Sequence, residues 1–295
     1  MIIKYNYEAI GNTSLVELDE FIFAKLEMKN PTGSVKDRVA LEMILQAERE
    51  NKIQPGGTII EATSGNTGIG IASICKQKGY ECIICMPNNC TKERIRLLEA
   101  YGATVVLTPK EFGMQGSIDM ANDIQLEIKN SLVLDQFNNK ACVSAHFKTT
   151  GPEILRDLSD VDVLVCGIGT GGTITGCAKY LKMKSDVYVV GVEPASSPVL
   201  SKGIKGTHEI FGIGAGFKPS ILDMDYIDEI ITVSDNDAYE YAKNIMKNFG
   251  ISAGVSSGAA YKAALDIKSK MPNKKIVVIF PDGCDKYMST KLFEE

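Results

Sequence analysis

Short apolar runs rich in Val, Ile and Cys alternate with longer segments whose apolar positions recur every three to four residues. Residues 57–62, 81–86, 104–108, 162–166, 187–192 and 275–280 have the pattern of strands. Residues 37–51, 69–78, 91–101, 114–130 and 235–248 lie between or after them and have the pattern of helices. Such alternation predicts an α/β fold of doubly wound parallel sheets with crossover helices on both faces. Glycine-rich turns recur at the strand ends, where folds of this kind bind their ligands.

Composition narrows the possibilities without changing that picture. At about 150 residues per domain, 295 residues suggest two lobes. Hydrophobic residues make up 44% and charged residues 23%, a balance that excludes disordered and collagen-like chains. The net charge is −5 with the two signs interspersed, so no basic stripe is present for nucleic acid or an anionic membrane. The uncharged stretch 163–178 is diluted by Gly and Thr and is not a membrane span. The N-terminal residues MIIKYNYEAIGNT lack the apolar core of a signal peptide. A cytosolic protein is expected, and eight cysteines in a chain this long read as reduced thiols rather than disulfides. Cys82 and Cys85 form a CxxC, but on a strand residues three apart face opposite ways. No second ligand pair completes a zinc site, and no metal is expected.

Four segments carry candidate chemistry. In Asn30-Pro-Thr-Gly-Ser-Val-Lys36-Asp-Arg, Ser34 and Asp37 resemble a capping box, which puts Lys36 in the first helical turn. A lysine there is either a solvated surface residue or, its pKa lowered by the helix dipole, an amine suited to imine chemistry. Thr63-Ser64-Gly65-Asn66-Thr67-Gly68 joins a strand to a helix, where free N–H groups and hydroxyls favour an anion such as a carboxylate. Gly167-Ile-Gly169-Thr170-Gly171-Gly172-Thr173 contains GxGxxG, and Glu193 follows about 20 residues on, as in dinucleotide-binding proteins. The two threonines suit a phosphate monoester equally well, and this segment alone leaves both readings open. Gly254-Val-Ser256-Ser-Gly258 is a helix cap or a contact to a ligand ring.

Together these segments resemble the cysteine synthases, also called O-acetylserine sulfhydrylases, of the fold-type II pyridoxal-phosphate (PLP) enzymes, whose architecture is tryptophan synthase β-like. Further matches run in order along the chain: Met86-Pro87, Glu93-Arg94, Gln136-Phe137-Asn138, Thr149-Thr-Gly-Pro-Glu153, Gly212-Ile-Gly-Ala-Gly-Phe217 and Tyr287-Met-Ser-Thr290. The resemblance displaces the NAD reading of the glycine loop. It implies that Lys36 holds PLP as an imine, that Asn66 meets the ring hydroxyl and that Ser256 meets the ring nitrogen. Gly169, Thr170, Gly171, Gly172 and Thr173 would cradle the phosphate. Thr63, Ser64, Asn66, Thr67 and Gln136 would hold the substrate's α-carboxylate, with Gly214 in a mobile segment over the mouth.

The implied reaction is β-replacement: O-acetyl-L-serine loses acetate to give an α-aminoacrylate, and sulfide adds to make L-cysteine. The same chemistry on L-cysteine, releasing hydrogen sulfide, or on O-phosphoserine is the alternative, and Lys218 is a candidate for favouring an anionic substrate. The resemblance also implies a large lobe of residues 1–37 and 147–295, a smaller mobile substrate-binding lobe of 38–146, a homodimer, and serine acetyltransferase as a possible partner. Asn139-Lys-Ala-Cys142 and Cys90-Thr91 depart from the family pattern in segments expected to border the entrance. His146 is expected to be a structural hydrogen-bonder, and His208 to lie in a loop.

Overall fold

The computed structural model describes residues 2–63 and 65–294. The chain opens with the hairpin β1 (Leu15–Asp19) and β2 (Ile22–Leu26) and enters α1 (Lys36–Arg49). Next come β3 (Thr58–Ala62), α2 (Asn66–Lys78), β4 (Glu81–Pro87), α3 (Lys92–Ala100), β5 (Thr104–Thr108), α4 (Gly113–Glu127) and β6 (Ser131–Val133). Helices α5 (Ala141–Lys148) and α6 (Thr150–Asp157) lead to β7 (Val163–Gly167), α7 (Gly172–Lys182), β8 (Tyr188–Pro194) and α8 (Val199–Lys202). The chain ends with β9 (Glu229–Val233), α9 (Asp235–Phe249), α10 (Val255–Lys270) and β10 (Ile276–Phe280).

Two sheets result. One has six strands in the order β1-β2-β10-β7-β8-β9, parallel except for β1; the other has four parallel strands in the order β5-β4-β3-β6. The doubly wound α/β expectation holds for both. Central strands β10 and β3 are buried at every position, as strands covered by helices on both faces must be. β10 accordingly reads Ile-Val-Val-Ile-Phe, but β3 reads Thr-Ile-Ile-Glu-Ala and carries Glu61 into the interior.

The sequence pattern misses β1, β2, β6 and β9. β1 lies at a sheet edge and is only half-buried, the short apolar run of β2 is broken by Lys25, β6 is three residues long, and β9 is mostly half-buried. Cys82 and Cys85 pack into different apolar clusters on opposite faces of β4, and none of the eight cysteines is in a disulfide. Among the described residues no cluster could hold a metal ion, and no helix is long and apolar enough to cross a membrane.

Candidate active site

Loops leaving the carboxyl ends of β3, β6, β7 and β10 converge on one cavity of about 290 Å³ between the two sheets. Its walls include Lys36, Thr63, Asn66, Thr67, Gln136, Gly169, Thr170, Gly214 and Ser256. A narrow extension is lined by Lys36, Gly169, Thr170, Gly171 and Thr173. Gly172 lies just behind it, opening α7. The four segments singled out in the sequence therefore form one site; Ser64 lies outside the described residues.

Lys36 is the first residue of α1, as its spacing implies, but the turn is built differently from a capping box. Asp37 reaches back to accept from the Thr32 backbone and hydroxyl, while Ser34 Oγ accepts from the Lys36 backbone N–H at 3.2 Å. Burial lowers the pKa of the Lys36 amine, against the opposing pull of Cys166, Asp282 and Cys142. The amine is thus biased toward its neutral, nucleophilic form.

The glycine loop after β7 is shaped by close backbone approach. A Cβ on Gly169 would sit 2.3 Å from the Gly212 carbonyl oxygen, so only glycine fits beneath the 212–216 segment. That segment is pinned above it by Gly214 N–H donating to Ile168 O at 2.9 Å. His208 Nε2 lies 2.8 Å from Gly214 O, which fixes the loop histidine. Behind the cradle, fully buried His146 joins Thr150 Oγ1 at 2.9 Å to Thr173 Oγ1 at 3.2 Å. Burial pushes its pKa down to about 3, so it is neutral and structural, as expected. Glu193, the acidic residue of the dinucleotide reading, accepts from the backbone of Leu200 and Ser201 at 2.8 and 3.0 Å. It caps a short helix with both oxygens and is buried there, turned to that helix rather than to a ribose site. The NAD reading falls on that geometry.

The opposite wall is polar. Thr67 Oγ1 donates to Gln136 Oε1 at 2.7 Å, and the Gln136 amide donates to Ala62 O at 3.3 Å. Asn66 gives its Nδ2 to Asp282 Oδ2 at 2.7 Å, and its buried Oδ1 has no hydrogen-bond partner. Tyr287 donates to the same Asp282 oxygen at 2.6 Å, whereas Asp282 Oδ1 is buried and unpartnered. Gly254, before α10, makes room for that carboxylate: a Cβ there would lie 2.0 Å from Asp282 Oδ1.

Asp282, Tyr287 and Arg94 line the cavity but were not assigned to the site from sequence. The Arg94 guanidinium lies 5.2 Å from the ring centroids of both Phe211 and Tyr287. The available signal for Asp282 was its position just past the carboxyl end of a central strand. The departures at 90–91 and 139–142 do not line the cavity; Asn139 instead accepts from the Ala141 backbone at the start of α5. Lys218 is exposed and also outside the lining.

These residues suit pyridoxal phosphate. The Lys36 amine, biased toward its neutral form, stands beside a glycine and threonine cradle, and the unpartnered Asn66 Oδ1 and Ser256 belong to residues lining the same cavity. A family model described as pyridoxal-phosphate dependent enzyme matches residues 7–282. Cysteine synthase B of Campylobacter jejuni is 47% identical over 97% of this chain and 97% of its own. A probable cysteine synthase of Bacillus subtilis is 46% identical over 99% of this chain and 98% of its own. A crystal structure of a hydrogen sulfide-producing enzyme from Fusobacterium nucleatum has a TM-score of 0.94 at 44% identity, covering 97% of this chain and 100% of that one. A cysteine synthase structure from Entamoeba histolytica has a TM-score of 0.95 at 40% identity, covering 99% and 91%. Likeness at this level along nearly the whole length makes the chain a member of the pyridoxal-phosphate dependent enzyme family.

Proposed function

We propose that the protein makes L-cysteine from O-acetyl-L-serine and sulfide by β-replacement. One observation carries the reading: the half-buried Lys36 amine lines the cavity between a glycine and threonine cradle and a wall of hydroxyls and amides suited to a carboxylate. Bound pyridoxal phosphate supplies the electron sink that acidifies the substrate's Cα and lets its β-substituent leave. Lys36 Nζ would hold the cofactor, take the Cα proton once substrate displaces it, and return that proton to product. Thr63, Ser64, Thr67 and Gln136 would grip the α-carboxylate. Asn66 Oδ1 and Ser256 would meet the ring, and Gly169 to Thr173 the phosphate. The 212–216 segment, with Gly214 at its centre, would exclude water from the reacting carbon.

Release of hydrogen sulfide from L-cysteine is the second reading, favoured by the structural likeness to a hydrogen sulfide-producing enzyme. O-Phosphoserine is less favoured, because Lys218 points to solvent and Arg94 is stacked between two rings. The proposal also includes residues 38–146 moving as the smaller lobe against 1–37 and 147–295, a homodimer, serine acetyltransferase as partner, and a cytoplasmic setting in keeping with eight cysteines outside disulfides.

Borohydride reduction followed by peptide mapping tests the cofactor assignment: the pyridoxyl tag belongs on Lys36, and a tag elsewhere or nowhere defeats it. Titration with O-acetylserine, O-phosphoserine and cysteine, followed by absorbance and then sulfide addition, tests the substrate. A stronger response to either of the latter two replaces the named one.

A further inference from the structure

We propose that Glu61 is a positioning residue for this reaction: it props the turn that carries Gln136 and thereby sets the wall gripping the substrate's α-carboxylate. The inference rests on the carboxylate site proposed above and extends it to a residue that does not itself line the cavity.

Glu61 occupies the fourth position of β3, a strand buried at every residue, and is 1% exposed. An acid in the middle of a covered parallel sheet is costly unless its oxygens are used. One of them is: Glu61 Oε1 accepts from the Gln136 backbone N–H at 3.3 Å, while Oε2 is buried without a hydrogen-bond partner. The turn it supports is a left-handed one. Asp135, immediately before Gln136, has φ of +54°, a left-handed conformation that Asp tolerates better than most residues but that still costs free energy.

Gln136 is then fixed at every polar atom. Its N–H goes to Glu61, and its carbonyl accepts from Cys142 Sγ at 3.3 Å. Its side chain is held by Thr67 and the Ala62 carbonyl. Glu61 therefore sits one bond behind a residue that faces the substrate, and its strand runs directly into the Thr63 loop.

The charged or titratable groups that face Glu61 are Asp135 from the turn, Cys85 from β4 and Cys142 from α5. From α4, the residues sharing the adjacent cavity of about 340 Å³ are the uncharged Gln115, Ile118, Ala121 and Asn122. None of these is a cation, and burial raises the Glu61 pKa to about 8. At neutral pH the prop is a neutral acid. In its ionised form it places a negative charge behind the α-carboxylate and draws the Gln136 N–H inward.

The test uses the holoenzyme with O-acetyl-L-serine and sulfide from pH 6 to 9.5, comparing wild type with Glu61→Ala and Glu61→Gln. In Glu61→Ala the KM for the amino acid rises about tenfold, the scale of one buried donor losing its acceptor, while kcat and the sulfide KM stay within about threefold. Glu61→Gln, which keeps the acceptor and the volume, restores KM near neutrality. It also removes the wild-type rise in KM above pH 8. A merely structural role would not move that pH limb. The inference is overturned if Glu61→Ala leaves KM unchanged, if kcat falls as far as kcat/KM, or if Glu61→Gln keeps the wild-type pH limb. Should Glu61→Ala fail to fold, the pH limb of Glu61→Gln decides alone. Failure of the underlying carboxylate-site reading is seen separately, as a wild-type KM unaffected by Thr67→Val.

Discussion

The first turn of α1 faces two regions with opposite polar economies. On one side Lys36 looks into the cavity, where Asn66 Oδ1, Asp282 Oδ1 and Arg94 Nε are buried without hydrogen-bond partners. On the other side, two residues along, Arg38 enters a cluster in which nearly everything is paired. Arg38 meets Glu27 at 2.7 Å and Glu153 at 2.6 Å, and Lys25 meets Glu153 at 2.8 Å. Thr13 Oγ1 donates to Glu27 Oε1 at 2.6 Å and completes the set. Arg38 and Lys25 thus face Glu27 and Glu153, with Asp157 3.9 Å from Lys25 at the half-buried rim. The unpartnered atoms of Asn66, Asp282 and Arg94 face the cavity, whereas the satisfied ones around Arg38 hold the scaffold that keeps Lys36 in place.

Four outcomes would break or sharpen this contrast. The largest is on the cavity side. Lys36→Ala is expected to cost at least about a thousandfold in turnover and all bound cofactor colour, since nucleophile and base are lost together. Thermal unfolding of its cofactor-free form should match cofactor-free wild type, and a shift of many degrees would show Lys36 to be structural as well.

Next is the paired side. Arg38→Met leaves Glu27 and Glu153 buried without their cation, a loss of about 3–5 kcal/mol. Denaturant unfolding measures it; a variant of near wild-type stability would mean that the cluster contributes little.

The third outcome uses pH, and the two sides carry opposite signs. Burial would raise the Glu153 pKa, but Arg38 and Lys25 hold it down to about 2. Its stabilisation is present above the unfolded carboxylate range and is lost as pH falls toward 2. The folded-state pKa of Glu61 is raised instead, to about 8, so stability is lost as pH rises from the unfolded carboxylate range through 8. Glu61→Gln should flatten the alkaline limb of a melting-temperature profile and leave the acid limb intact. If both limbs move, the two sides are coupled.

The smallest effect is expected for Lys218→Ala. With the side chain exposed and outside the cavity, the ratio of kcat/KM for O-phosphoserine to that for O-acetylserine should be unchanged. A clear drop would bring Lys218 into the site through loop movement.

Much of this was legible from the chain alone. Lys36, the Thr63 loop, the Gly169 loop and Ser256 each stand where regular structure starts or stops, so glycine, proline and hydroxyl residues mark them locally. The alternation of strands and helices was equally visible where strands are covered on both faces. Asp282 and Glu61 were not legible in the same way. Asp282 sits in an ordinary Pro-Asp-Gly turn, and Glu61 reads as the exposed position of a strand until the tertiary structure shows β3 buried at every position. The capping box at Ser34 and Asp37 illustrates the same limit, because Asp37 chose the Thr32 hydroxyl over the helix start.

The order of residues determined the fold class and marked Lys36 and the loops around it as candidates, because periodicity and turn chemistry act over a few neighbours; the cofactor role of Lys36 came from the family resemblance. Only the tertiary structure decided which polar atoms are paired and which wait. Pairing depends on groups such as Asn66 and Asp282, 216 residues apart, meeting where water has been excluded.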